Sequence, residues 1–178
     1  MNPVKKVIIT AVCAALGVVL PMAFHAVPNA GMVWLPMHIP VLLCGLVAGP
    51  VGGLAAGILA PVLSSLLTGM PPVAFLPSMV CELFVYGLVA GLLARVVRTG
   101  HLAADLYISL VGSMLAGRVV GGILNALIFS VGQYSLAAWG TSYFVMCVPG
   151  IVLQIVVIVP IVVALQRGGL IPARYPEK

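Results

Sequence analysis

Two side chains carry most of the chemistry open to this chain: Glu82 and Arg118, strongly ionisable groups set well inside long apolar runs. A charge at the middle of a bilayer costs at least about 2.5 kcal/mol, so each must face a partner or a wet cavity. Arg118 offers a planar fork suited to a carboxylate, and Glu82 accepts hydrogen bonds from an amine, an amide or an amino-heterocycle. They either lock two helices together as a structural pair or hold a small polar ligand. Asn125 lies two helical turns beyond Arg118 and shares its face. Gln154, in the last apolar run, adds a donor and an acceptor for a ligand or for a neighbouring helix.

Other reactive residue types form no recognisable site. His25 and His38 are far apart and have no acidic or cysteine companion nearby, so no metal is expected. Cys13, Cys44, Cys81 and Cys147 fall in four separate apolar stretches without a CxxC spacing, which indicates packing rather than zinc or a disulfide framework. Ser64 and Ser65 lack His and Asp partners for nucleophilic catalysis, and no Gly-Lys-Ser/Thr phosphate loop occurs. Neither catalysis, nor ATP hydrolysis, nor a bound cofactor is expected of this chain.

The elements that must position these residues follow from composition. The 178 residues are 63% hydrophobic and 6% charged, with a mean hydropathy of +1.28. That is too little polar surface to cover a water-soluble globule, so lipid is the main solvent. A span needs roughly 20 apolar residues, and breaks at Gly, Pro and charge give spans near 5–24, 38–49, 51–68, 76–96, 103–130 and 142–166. Residues 1–178 therefore form a single all-α membrane domain of six transmembrane helices. The first segment opens Met-Asn-Pro-Val-Lys-Lys like a signal peptide, but its apolar run is long and no clear cleavage site follows, so it reads as a retained span.

The net charge of +5 does not signal nucleic acid, because the cations sit at segment ends. Lys5, Lys6, Arg95, Arg98, Arg167, Arg174 and Lys178 fall at the amino terminus, after span four, or at the carboxyl terminus. The connections near 25–37, 69–75 and 131–141 contain no Lys or Arg, which assigns them to the outer face and both termini to the cytoplasm. At ~1.5 Å per residue, Glu82 then lies about 9 Å and Arg118 about 18 Å below the outer end, within reach of one outward-facing pocket.

Small residues dominate the helix faces. Gly45, Gly49, Gly53 and Gly57 recur every four residues, and Gly87/Gly91 and Gly117/Gly121 repeat the spacing that lets helix backbones approach in lipid. Gly49-Pro50 predicts a tight hairpin between a short second span and the third, and short or partial helices often border ligand cavities. The repeated Gly-Leu-Val-Ala-Gly at 45–49 and 87–91 carries no argument for duplication in so small an alphabet. The outer connections hold His25, Asn29, Trp34, Met37, His38, Met70, Pro71, Pro72, Tyr134, Trp139 and Tyr143. These form an interfacial aromatic belt, or, where Trp34–His38 and Thr68–Pro72 flank the spans, a lid.

Leu35-Pro-Met-His-Ile-Pro-Val-Leu-Leu-Cys-Gly45, Ser64-Ser-Leu-Leu-Thr-Gly-Met-Pro-Pro72, Glu82-Leu-Phe-Val-Tyr-Gly87 and Gly117-Arg118 together resemble an S component of an energy-coupling factor (ECF) vitamin transporter. The resemblance covers about 35–121 and extends more weakly over the full length. It implies a binding subunit in a prokaryotic plasma membrane that captures a vitamin-like molecule and works with a transmembrane coupling subunit and two ATPases. It also implies a substrate site near the outer side, where Trp34, His38, Glu82, Arg118 and Asn125 stand here. An Ala-xxx-Ala contact with the coupling subunit falls on Ala11 and Ala15. The metal-transporting branch relies on a histidine near the amino terminus, where this chain has Asn2, so nickel and cobalt are disfavoured.

Two other classes compete. A self-sufficient proton-coupled carrier would relay protons through Glu82 and Arg118, but it needs two alternating halves and no inverted repeat is evident. In a non-transport scaffold the same pair would be purely structural. Within the resemblance, a carboxylate such as pantothenate would use Arg118, and a deazaguanine-type queuosine precursor would use Glu82.

Overall fold

The computed structural model describes residues 1–24, 30–129, 135–173 and 175. His25, Asn29, Tyr134, Arg174 and Lys178 lie outside the described residues. Helix α1 (Pro3–Ala23) begins at Asn2, whose side chain accepts a hydrogen bond from Val4 N at 3.2 Å, with Pro3 in the first helical position. Then come α2 (Ala30–Trp34), α3 (His38–Ala48), α4 (Pro50–Thr68), α5 (Leu76–Val96) and α6 (Leu102–Leu124). A π-helical turn at Asn125–Phe129 extends α6; α7 (Leu136–Gly140) and a second π-helical turn at Thr141–Val145 lead into α8 (Val148–Arg167). No strand occurs among the described residues.

Among the described residues six segments are long and apolar enough to cross a membrane: Pro3–Ala23, Gly31–Ala48, Pro50–Thr68, Leu76–Val96, Leu102–Phe129 and Val148–Arg167. Two differ from the sequence expectation. The second span is a broken helix: α3 reaches only about 16 Å at ~1.5 Å per residue, and α2 supplies the remaining length across a break at 35–37. Leu35 sits at the break with φ +51°, a left-handed conformation that a branched side chain adopts only when its surroundings hold it, and Leu35 is buried. The last span starts at Val148 rather than near 142, because Thr141–Val145 is wound as a π-turn and Pro149 restarts the helix.

Exposure is inverted relative to a water-soluble protein. Large apolar side chains such as Val51, Leu66, Leu67 and Val96 are each more than 70% exposed, while His38, Ser64, Asp105, Ser109, Ser113, Arg118 and Gln154 are buried. Hydrocarbon faces the surroundings and polarity is held inside, as a bilayer requires. The chain is a multi-pass membrane protein.

Glycines set the packing of α3, α4 and α5. A Cβ on Gly87 would lie 2.1 Å from Gly53 O, and one on Gly53 would lie 2.2 Å from Gly87 O, so the two backbones touch directly. Gly57 against Leu83 O and Gly91 against Pro50 N continue this seam. Gly49 alone joins α3 to α4, with φ +91°, and Pro50 opens the second helix of the hairpin. Close approach lets dispersion hold the helices where lipid supplies no hydrophobic drive.

At the far end of α4, Ser64 Oγ donates to Met70 O at 2.7 Å and Ser65 Oγ donates to Pro71 O at 2.8 Å. The paired serines therefore fasten the loop before α5. At the opposite end of the bundle Asp105, fully buried, accepts from Thr99 N and Thr99 Oγ1 at 2.7 Å each and from Tyr175 Oη. Gly100 N donates to the same phenol at 3.2 Å, which ties the carboxyl-terminal tail to the connection between α5 and α6.

Candidate functional site

Helices α5 and α6 meet in antiparallel register, and that register builds one wall of the site. Ser78, Glu82 and Tyr86 are spaced i, i+4, i+8 on α5, and Gly117, Gly121 and Asn125 have the same spacing on α6. Asn125 Nδ2 donates to Ser78 Oγ at 2.7 Å. A Cβ on Gly121 would lie 3.5 Å from Glu82 Cγ, and one on Gly117 would lie 3.0 Å from the Tyr86 ring. Glycine on α6 thus leaves the room in which Glu82 and Tyr86 stand.

The break in the second span supplies the adjoining wall. His38 opens α3, is buried, and places Nε2 3.7 Å from Glu82 Oε1. Its ring meets Tyr86 edge-on, with centroids 5.1 Å apart. At 3.7 Å the His38–Glu82 contact is longer than a hydrogen bond, so neither ring nitrogen of His38 has a hydrogen-bond partner.

The second π-turn covers the wall. Tyr143 Oη accepts from Asn125 Nδ2 at 3.1 Å and would lie 3.3 Å from a Cβ on Gly121. Trp139 Nε1 donates to Arg118 O at 3.1 Å, and the Arg118 guanidinium stands 5.5 Å from the centroid of Phe144. Cys147 donates to Ser142 O and to Met32 O, linking this turn to α2. Burial raises the Cys147 thiol above its ordinary pKa, with the Arg118 charge opposing and the Glu82 charge reinforcing the shift.

Buried polar groups without partners are rare in folded proteins and each calls for a reason. His38 Nδ1 and Nε2, Tyr86 Oη, Arg118 Nη1, and both Gln154 Nε2 and Oε1 are all buried without a hydrogen-bond partner. Gln154 is one turn past Gly150 on α8, and a Cβ on Gly150 would lie 2.7 Å from Val33 O, so this face of α8 packs on the broken second span. The unsatisfied capacity includes two donors from Arg118 and Gln154, an acceptor on Gln154, a hydroxyl and an imidazole. Glu82, with its side chain 14% exposed, stands beside the unpartnered imidazole of His38.

Of the residues singled out from sequence, His38 and Glu82 come together directly, and Asn125 and Arg118 line the helix opposite. Glu82 and Arg118 form no ion pair with each other, so the structural-lock reading of that pair does not describe this conformation. Asn125 spends its amide on Ser78, Gly121 O and Tyr143, and so positions the wall. Trp34 stands apart: it is 38% exposed and packs its backbone on Gly150. Ala11 and Ala15 lie on the exposed face of α1, opposite the buried Cys13, Ala14, Gly17 and Val18. Sequence reasoning missed Ser78, Tyr86 and Phe144, and took Tyr143 for interfacial belt. The matched four-residue spacing of polar residues on α5 and glycines on α6 is the signal that would have found the first two.

Beside Arg118 a cavity of about 130 Å³ opens between α6 and α8, lined by Val111, Met114, Leu115, Phe144, Ile151 and Ile155 together with Arg118 itself. No group of three or more His, Cys, Asp or Glu that could hold a metal occurs among the described residues. The arrangement can therefore bind and orient a small molecule through hydrogen bonds, one anion and one cation, beside aromatic surfaces.

Comparison with known families finds a match to the model described as ECF transporter, substrate-specific component, over residues 5–162. Comparison with curated proteins finds no match, and neither does comparison with solved structures.

Proposed function

Because the chain belongs to the family of ECF transporter substrate-specific components, we propose that the cluster of His38, Glu82, Tyr86, Arg118, Asn125 and Gln154 is where it holds its substrate. The observation that carries this reading is the set of unpartnered buried polar atoms on four helices, α3, α5, α6 and α8, with His38 set against Glu82. A substrate would satisfy them, and without one each costs about 1–3 kcal/mol of desolvation. Arg118 takes an acceptor or carboxylate, Glu82 a donor edge, and Gln154 and Tyr86 fix orientation. The cargo is a small water-soluble vitamin or related micronutrient.

In this reading the chain sits in a prokaryotic plasma membrane with both termini inside, and the end carrying Ser78, Asn125 and the π-turns faces out. The absence of Lys and Arg near 69–75 and 131–141 supports that orientation. Import is driven by ATP hydrolysis in two partner subunits, through a transmembrane coupling subunit that docks on Ala11 and Ala15. The exposed small-residue face of α1 supports this contact. Membership of the family favours this role over a self-sufficient carrier or a scaffold.

The test is native mass spectrometry of the detergent-purified chain, reading a small molecule released on denaturation. Glu82→Gln and Arg118→Ala should each reduce its retention at least tenfold while leaving the protein monodisperse. Full retention in both variants would refute the assignment.

A further inference from the structure

Trp139 reaches into the bundle, where a tryptophan of an interfacial belt would turn its N–H to the membrane surface. Its indole N–H donates at 3.1 Å to the main-chain oxygen of Arg118, six residues before α6 ends at Leu124. A helix carbonyl has two lone pairs, so this oxygen serves the indole as well as its own helix. Gly122 makes the approach possible: a Cβ there would stand 2.2 Å from Trp139 Nε1 and 2.6 Å from its Cδ1, so any side chain would displace the ring. Leu136, Ala137 and Ala138 of the same short helix are exposed, whereas Trp139 is half-buried. The helix is thus docked through this one side chain in a notch that glycine leaves open.

The same indole reaches the Arg118 guanidinium by a second route. It meets the Phe144 ring edge-on, with centroids 5.2 Å apart and planes at 82°. Phe144 in turn lies 5.5 Å from the guanidinium. The π-turn at Thr141–Val145, in which Met146 N donates to Thr141 O, lets residues five apart meet on one side. The Cys147 thiol, three residues beyond Phe144, also lies within hydrogen-bonding reach of the guanidinium. Arg118 is 2% exposed, its Nη1 has no partner, and it forms no ion pair with Glu82. The groups placed against it thus come from the segment that Trp139 anchors.

We propose that Trp139 is a positioning residue for Arg118: it fixes both the backbone of Arg118 and the phenyl ring against which the guanidinium rests, and so presents the free donor to a ligand acceptor. An arginine already held loses less side-chain entropy when a ligand immobilises it, which raises affinity without any contact between Trp139 and the ligand. The inference rests on the substrate-site reading above and gives the outer segment a part in that site.

The test uses the full chain in detergent, with phenylglyoxal, an arginine-directed dicarbonyl, as the probe. Modification of Arg118 is read by peptide mass against Arg95, Arg98 and Arg167 in the same chain. Trp139→Leu should speed modification of Arg118 relative to those references about fivefold, the worth of one hydrogen bond. Trp139→Phe, which keeps a ring against Phe144, should do so less, and Gly122→Ala, which evicts the indole without removing it, should match Trp139→Leu. Native mass spectrometry of the copurified small molecule gives the second readout. Its retention should fall about fivefold in Trp139→Leu but no further when that change is added to Arg118→Ala, because a residue acting through another is non-additive with it. Equal losses in both backgrounds, or unchanged Arg118 modification in Trp139→Leu and Gly122→Ala, would overturn the proposal. If Arg118→Ala loses the molecule while Trp139→Leu keeps it, positioning fails and the substrate site stands; if Arg118→Ala and Glu82→Gln both retain it, the site fails and the positioning role with it.

Discussion

The same substitution, glycine to alanine, should have opposite consequences at Gly87 and Gly121. Alanine is intrinsically better than glycine in a helix by about 1 kcal/mol, so any loss must come from what the added methyl meets. At Gly87 it would stand 2.1 Å from Gly53 O, 2.4 Å from Gly53 C and 2.9 Å from Gly53 Cα, all backbone atoms that no rotamer change can move. Helices α4 and α5 would have to separate by an ångström or more along the Gly53, Gly57 and Gly91 seam. Overpacking of this kind costs about 1–3 kcal/mol and occasionally more, and it forfeits dispersion over the whole contact. The net loss of about 2 kcal/mol corresponds to a fall in Tm of roughly 4–8 °C for a chain of this size. At Gly121 the methyl would meet Tyr143 Oη at 3.3 Å and Glu82 Cγ at 3.5 Å, both on side chains that can yield by a few tenths of an ångström. Gly121→Ala should therefore hold or raise Tm, while crowding Glu82 and Tyr143 enough to weaken ligand retention about tenfold, or about 1.4 kcal/mol. Thermal unfolding followed by size-exclusion fluorescence, and ligand release by native mass spectrometry, read the two effects separately. Equal Tm values for the two variants would refute the direct α4–α5 backbone contact, and undiminished retention in Gly121→Ala would remove α6 from the site wall.

Three further outcomes are expected. Replacing Ala11 or Ala15 with Leu, on the exposed face of α1, should leave ligand retention intact while coupling-subunit copurification falls at least fivefold; undiminished copurification would exclude this face. Asp105→Asn keeps an oxygen that can accept from Thr99 but replaces the one that accepts from Tyr175 by an amide NH2 and removes the charge, so Tm should drop by roughly 3–12 °C at about 1.5–3 kcal/mol, with ligand retention unchanged. A cysteine introduced at Gly100 in a Cys81→Ser background should react with an impermeant maleimide only in inside-out vesicles, and one at Gly69 only in right-side-out vesicles; the reverse pattern inverts the topology.

Charge was the legible part of the candidate site because charge is costly in lipid. Glu82 and Arg118 could be read from sequence through the penalty that each must offset, and Asn125 through its position on the Arg118 face. Spans were legible for the same reason: an unpaired backbone cannot persist in hydrocarbon, so apolar length between Gly, Pro and cations marks helices to within a few residues. What escaped was geometry that carries no such penalty. Ser78 and Tyr86 are common residues in apolar helices, and nothing in their type distinguishes a site wall from packing until α5 and α6 are set in register. The break at Leu35 was equally hidden, because a left-handed leucine has no sequence signature and depends on the packing that holds it.

That break also explains why a histidine with no sequence companion stands in the proposed site. Had the second span run as one unbroken helix, His38 would have been an interior position of it, with no reason to approach α5 from a helix end. The turn at 35–37 restarts the helix at His38, so that its first residue faces Glu82 and Tyr86, which lie one turn apart on the neighbouring helix. In the proposed site Glu82 and Arg118, which form no ion pair with each other, are each left open to a ligand group of complementary polarity.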